Sequence, residues 1–341
     1  MAPLLFITGA SGFIGSETVA HALEKGYRAR LAIRRTEQAD ELRKRFADSG
    51  KAHELEFAVV PVIDDKAALT AALQGVDHVL HVASPMPSTN ADLQTGYVQP
   101  AVRGTMAMLE VAATIPTIKR MIIMSAYLAL APLDISTRNG FEVKEGANAS
   151  IEIDYEAIPE GAFGDVYKYH ISKLLAHRAA LEWVAKTKPN FDVLTVHPYY
   201  VIGYDRALKH DPATGAVQPR PIPLFYLLSL QSDAPLLSSA YVDVRDVAAM
   251  EIGAITVEKN LKPRGEITEI IALGPRISWP QMREFVKTKF PDFPLKQTND
   301  GNFSEPLTSN TERATCDMGL VLRDPYETLS VTLVQHGPLK M

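Results

Sequence analysis

Cysteine is almost absent from this chain: Cys316 stands alone among 341 residues. No internal disulfide framework can form, and a reducing compartment fits such usage. Long apolar runs are missing as well, since no uninterrupted stretch reaches the roughly 18 residues a membrane span needs. The first residues carry no basic segment ahead of a long apolar core, so Leu4–Ile7 is better used as a strand than as a secretory leader. Positive charge is not in surplus: the net charge of −5 gives no reason to expect a nucleic-acid partner. Repeats and low-complexity tracts do not stand out. What remains is 46% hydrophobic and 22% charged, the balance of a soluble globular protein, and a cytoplasmic location is expected. The length admits two ordinary domains or one large α/β domain with a lobe attached.

What the chain does have is its opening, Leu4-Leu5-Phe6-Ile7-Thr8-Gly9-Ala10-Ser11-Gly12-Phe13-Ile14-Gly15. A strand-length apolar run leads into Gly9-x-x-Gly12-x-x-Gly15, and a helical apolar pattern follows and stops at Gly26. Glycines let backbone approach a pyrophosphate closely, and a helix N-terminus offers unpaired N–H groups and a positive dipole end. A glycine triplet alone is a weak signal. In this order it marks a dinucleotide site, with Thr8, Gly9, Ser11, Gly12, Phe13, Ile14 and Gly15 around the phosphates.

Candidate strands follow at 4–8, 28–33, 55–60, 77–82, 119–124 and 191–196, and helical patterns at 13–25, 38–48, 65–74, 97–114 and 166–187. Such alternation predicts an α/β fold, a Rossmann-type doubly wound parallel sheet. The pattern breaks near residue 200. We therefore expect a dinucleotide-binding domain over 1–200 and a smaller C-terminal substrate lobe over 201–341, with a segment near 240–255 returning to the first domain. A strand-like Glu266–Leu273 and a helix-like Trp279–Thr288 fall within that lobe.

The residue ending the second strand selects the dinucleotide: an acid suits a ribose hydroxyl, an arginine a 2′-phosphate. Here Arg34 and Arg35 follow Ile33 and no acid precedes Glu37, which points to NADP(H). The bland alternative is a solvated basic turn, because Arg28, Arg30, Arg43 and Arg45 lie close by. Asp64 either accepts from the adenine amino group or caps the helix after it. Val82, Ala83 and Ser84 leave the fourth strand with small residues where a ribose must pass. His81 before them is expected to be a packed core histidine.

Tyr169 and Lys173 are four apart, hence on one helix face. A phenol with pKa about 10 is a poor proton donor at neutral pH. A neighbouring ammonium favours the phenolate and brings proton exchange with a carbonyl within reach. Tyr167 has Ile171 rather than lysine at that spacing.

Together with His81-Val82-Ala83-Ser84-Pro85, His197-Pro198-Tyr199-Tyr200-Val201-Ile202-Gly203 and Tyr241-Val242-Asp243-Val244-Arg245-Asp246-Val247-Ala248, these motifs resemble the extended short-chain dehydrogenase/reductases. Within that family they are similar to the dihydroflavonol-reductase-like carbonyl and aldehyde reductases. The resemblance covers about residues 4–250. It implies NADPH-dependent reduction of an aldehyde or ketone on a hydrophobic small molecule, aromatic ones among them. Tyr169 would give the proton, and Lys173 would tune it and hold the ribose. The backbone around Pro198 and Val201 would hold the carboxamide, and a monomer or homodimer is expected. Asp243 and Asp246, flanking Arg245, would be structural.

The family's fifth strand typically ends in two hydroxyl residues, the second bonding the substrate oxygen. Here Ser125 matches the first and Ala126 the second. Three explanations stay open: an introduced Ser→Ala change, a natural enzyme in which Ser125 or Tyr127 supplies the hydroxyl, or a lost or altered redox chemistry. Losing one oxyanion donor costs roughly 3–4 kcal/mol. Expected substrate contacts are Pro85, Met86, Tyr127, Tyr199, Tyr200 and Phe225, a mainly apolar set that suits aryl or alkyl carbonyls. Arg206, Lys209 and Arg220 leave room for an anionic tail. The histidines show no metal-ligand spacing. Alternatives are a nucleotide-sugar epimerase or dehydratase, and a dinucleotide-binding sensor with decayed catalysis.

Overall fold

The computed structural model describes residues 2–84, 91–135, 138–210, 217–218, 221–301 and 303–336. Its strands are β1 (Leu4–Thr8), β2 (Arg28–Ile33), β3 (Leu55–Val59), β4 (His78–His81), β5 (Arg120–Met124), β6 (Glu142–Val143), β7 (Asp192–Pro198), β8 (Val201–Ile202), β9 (Lys209–His210), β10 (Val217–Gln218), β11 (Val242–Asp243), β12 (Ile267–Ala272) and β13 (Thr308–Ser309). The helices are α1 (Phe13–Glu24), α2 (Gln38–Arg45), α3 (Lys66–Ala72), α4 (Gln99–Ala112), α5 (Gly161–Thr187), α6 (Pro221–Leu230), α7 (Val244–Thr256), α8 (Trp279–Lys289) and α9 (Pro325–His336).

Among the described residues, seven strands form one sheet in the order β12-β7-β5-β4-β1-β2-β3. Every pairing in it is parallel. Side chains alternate faces along each strand, and both faces are covered. Leu5, Ile7, Leu31, Ile122 and Leu194 pack with Val19 and Leu23 of α1 and Val247 and Met250 of α7. Phe6, Val79, Met121, Ile123 and Val193 face Leu69 of α3, Met108 of α4 and Val184 of α5. Chain order reverses between β1 and β4, the kind of point beyond whose strand ends such sheets bind ligands.

The lobe has its own core of Tyr226, Leu227 and Leu230 from α6, Trp279, Met282 and Val286 from α8, and Leu329 and Leu333 from α9. One expected lobe strand belongs elsewhere. Residues 267–272 lie on the edge of the main sheet, paired with β7 from Ile267↔Val193 to Ala272↔Pro198. All six are buried, so the segment behaves as a sheet strand despite Thr268 and Glu269. Helix α5 also starts earlier than its apolar pattern, at Gly161.

Candidate active site

The glycine turn is shaped by contact between backbones. Gly9 has φ +73°, and a Cβ there would fall 2.8 Å from the Ala83 nitrogen. A Cβ on Gly15 would fall 2.1 Å from the Gly9 carbonyl oxygen. Gly12 is the N-cap of α1, and no side chain caps the helix. The open first turn at Phe13 and Ile14 therefore suits a pyrophosphate. The buried Thr8 hydroxyl accepts from the Ala83 N–H at 3.0 Å and lies 3.1 Å from His81 Nδ1, so its side chain ties β1 to β4. Burial pushes His81 down to about 4, in keeping with a packed, neutral ring.

The basic residues near the end of β2 separate into two groups. Arg28 and Arg30 both pair with Glu56, and Arg43 pairs with Asp40 over the Phe57 ring. Arg34 and Arg35 are exposed, and their guanidinium groups have no carboxylate partner among the described residues. Their backbone N–H groups share Gln38 Oε1 at 2.7 and 3.2 Å, which fixes the turn they stand on. Arg45 reaches the Ser11 carbonyl at 3.4 Å. Asp64 is not the helix cap: Asp65 takes that role, accepting from Ala67 and Ala68 at 3.0 and 3.1 Å.

Tyr169 and Lys173 share a face of α5, with the ammonium 5.3 Å from the phenol ring centre. Lys173 donates to Ser84 Oγ at 2.6 Å, which joins α5 to the end of β4. Burial pushes the Tyr169 phenol up to about 12 and the Lys173 amine down to about 8. This corrects the expected lowering of the phenol. Lys173 lies over the ring and is engaged by Ser84, and desolvation decides the direction.

Beyond β5 the chain turns back. Asn148 donates to the carbonyls of Ala129 and Leu174 at 2.8 and 3.1 Å, and His170 donates to that of Ala131 at 2.9 Å. These bonds clamp the turn after β5 onto α5. Ser125 lines a cavity of about 30 Å³, room for one water, together with His81, Ser84, Lys173, His177 and Thr195. Tyr127 points the other way, into an apolar cluster with Ala126, Tyr199, Tyr200 and Tyr169. Its ring stacks on Tyr199 (4.6 Å, 10°) and meets Tyr200 edge-on (5.5 Å, 74°). Pro198 ends β7 and Val201 opens β8 beside them. Pro85, Met86, Arg220 and the side chain of Phe225 lie outside the described residues.

Two features escaped the sequence. Arg206 is not free for an anionic tail, because it bonds Glu17 of α1 at 2.9 Å. His177, His197 and Glu269 meet within 4.8 Å under Ala126, a grouping that their spacing hid. Their atoms are committed to one another and to the backbone. His177 donates to Glu269 at 2.7 Å, and His197 donates to the Ala126 carbonyl at 3.1 Å and accepts from Thr195 at 2.8 Å. Asp243 and Asp246 bond Arg245 and Arg323 respectively, as structural residues do.

The chain matches the NAD dependent epimerase/dehydratase family over residues 5–225. It is 37% identical over 210 residues to the ketoreductase sphI of Aspergillus fumigatus, a span of 59% of this chain and 60% of that one. An uncharacterized oxidoreductase of Schizosaccharomyces pombe is 30% identical over 281 residues, 79% of this chain and 81% of that one. In fold, the yeast methylglyoxal/isovaleraldehyde reductase Gre2, solved with NADPH, superposes with a TM-score of 0.77 at 21% identity over 98% of each chain. A family match across most of the sheet, and an oxidoreductase relative aligned across four-fifths of its length, agree with the glycine turn and the Tyr169/Lys173 helix: the chain belongs to the NAD dependent epimerase/dehydratase family, the extended short-chain dehydrogenase/reductases.

Proposed function

We propose that this protein reduces an aldehyde or ketone on a hydrophobic small molecule, aromatic ones included, with NADPH. The observation that carries the reading is the placement of Tyr169: its ring sits among Tyr127, Tyr199 and Tyr200, beside Lys173, at the carboxyl ends of the strands. The names of relatives, a ketoreductase and an NADPH-dependent methylglyoxal reductase, support the same reading. When bound, the cofactor supplies the hydride. The residues around Gly9, Gly12 and Gly15 hold its pyrophosphate, Arg34 and Arg35 its 2′-phosphate, Asp64 its adenine, and Pro198 and Val201 its carboxamide. Tyr169 gives its proton to the carbonyl oxygen. Lys173, its pKa already low, exchanges Ser84 for a ribose hydroxyl and steadies the phenolate left behind. The apolar rings exclude water from that exchange. No described helix is long and apolar enough to cross a membrane; a cytoplasmic monomer or homodimer completes the proposal.

The test follows NADPH oxidation against aromatic and aliphatic carbonyls, with NADH in parallel. Arg34→Ala should raise the KM for NADPH about tenfold or more and leave that for NADH nearly unchanged, as loss of a charge-assisted bond requires. NADPH binding without turnover of any carbonyl would sink the reductase reading, and equal effects on the two cofactors would sink the role of Arg34.

A further inference from the structure

The turn that carries Arg34 and Arg35 begins where β2 leaves the sheet. The Val60 N–H still bonds the Ile33 carbonyl at 2.8 Å, and the next two N–H groups of β2's chain turn to a side chain instead. Both reach Gln38 Oε1, at 2.7 Å from Arg34 and 3.2 Å from Arg35. Gln38 is the first residue of α2, and its own N–H returns to the Arg35 carbonyl at 3.2 Å. The N-cap residue of that helix, Glu37, makes no side-chain cap bond. Gln38 therefore closes the turn, and it is half-buried while Arg34 and Arg35 are exposed. Neighbouring cations are engaged elsewhere: Arg28 and Arg30 by Glu56, and Arg43 by Asp40. A long arginine side chain swings widely about its Cα. Two of them meet one phosphate together only if the backbone between them is fixed. An amide suits that task better than a carboxylate, because its oxygen accepts two N–H bonds and brings no negative charge beside a phosphate.

We propose that Gln38 sets the preference for NADPH over NADH, by fixing the Arg34–Arg35 turn so that both guanidinium groups meet the 2′-phosphate together. In this role Gln38 touches no part of the cofactor; it is a positioning residue that acts through the two arginines. The inference rests on the NADPH part of the proposed function, with the 2′-phosphate at Arg34 and Arg35, and is independent of the carbonyl step.

The experiment titrates the full chain with NADPH and with NADH, reading nicotinamide fluorescence, and records the melting temperature alongside. Gln38→Met keeps the length of the side chain and removes the acceptor. It should weaken NADPH binding about tenfold, the upper end of what one lost hydrogen bond costs, and leave NADH within about twofold. The same change is then made in a protein that already carries Arg34→Ala and Arg35→Ala. There it should alter neither affinity by more than about twofold, because a residue that acts through its partners loses its effect with them. Gln38→Ala repeats the comparison if the methionine variant melts early. An unchanged NADPH affinity, equal losses for the two cofactors, or a Gln38→Met effect that survives removal of both arginines would overturn the proposal. Tighter NADPH binding by Gln38→Met would overturn it too, by showing that the amide oxygen stands where a phosphate oxygen goes. A protein without both arginines that keeps the parental NADPH affinity fails the 2′-phosphate reading itself, and the role of Gln38 falls with it.

Discussion

A methyl group on residue 15 has nowhere to go. With the Cβ 2.1 Å from the Gly9 carbonyl, Gly15→Ala must push α1 off β1. We expect it to cost about 1–3 kcal/mol of stability, as overpacking does, and to weaken NADPH binding sharply. A urea titration and a fluorescence binding curve check both. An unchanged midpoint would mean that the turn yields more easily than its backbone contacts imply. At this scale the sequence was readable wherever residue type alone constrains geometry, as in the glycine turn and the Tyr169/Lys173 spacing. It was unreadable where a partner decides. Arg206 looked free until the fold set Glu17 of α1 against it, and Asp64 could not be told from Asp65 as a cap without the backbone angles. The direction of the Tyr169 shift also depended on burial, which spacing does not report.

Helices α1 and α7 cover one face of the sheet and share a buried polar contact, Thr18 donating to Glu251. Burial pushes the Glu251 carboxyl up to about 8. A folded-state pKa above the unfolded value gives stability that is full below about 4.5 and is lost as pH rises through about 8. Glu251→Gln removes the ionisation and can still accept from Thr18. Its melting temperature should therefore exceed the parent's by several degrees at pH 8, at roughly 2–4 °C per kcal/mol, and match it near pH 4.5. A constant gap across that window would remove ionisation as the cause. Elements were legible where helices and strands alternate. β12 was legible as a strand within Glu266–Leu273 but not in its place, because it follows the irregular lobe; only its pairing with β7 assigns it to the sheet. Arg120 shows the same limit from another side. Its buried guanidinium donates to the Ala254, Ile255 and Val257 carbonyls at 3.0, 2.9 and 2.8 Å, so a strand residue finishes the end of a helix more than a hundred positions away.

At the scale of the whole molecule, sheet and lobe are not separate bodies. Ala126, Tyr127 and Leu128 beyond β5 pack in one cluster with Tyr199, Ala240, Leu273 and Leu307. A calorimetric scan should therefore give one transition, and NADPH at a hundredfold excess over its Kd should move all of it, by about 2.7 kcal/mol of added stability. A lobe that melts separately and ignores NADPH would contradict the shared core. The sequence pattern breaks near residue 200 and predicts a return near 240–255, where α7 lies on the sheet, but that reading leaves β12 in the lobe, because only its pairing with β7 assigns that strand. The aromatic seam also limits how the protein can change. On the carbonyl-reductase reading Tyr127 and Tyr199 would be at once pocket wall and interior filling, for they are only 4% and 2% exposed. Trimming either ring to admit a bulkier substrate opens a void where the two halves meet, so broader substrate range on this scaffold comes with lower heat tolerance unless a second change refills the seam.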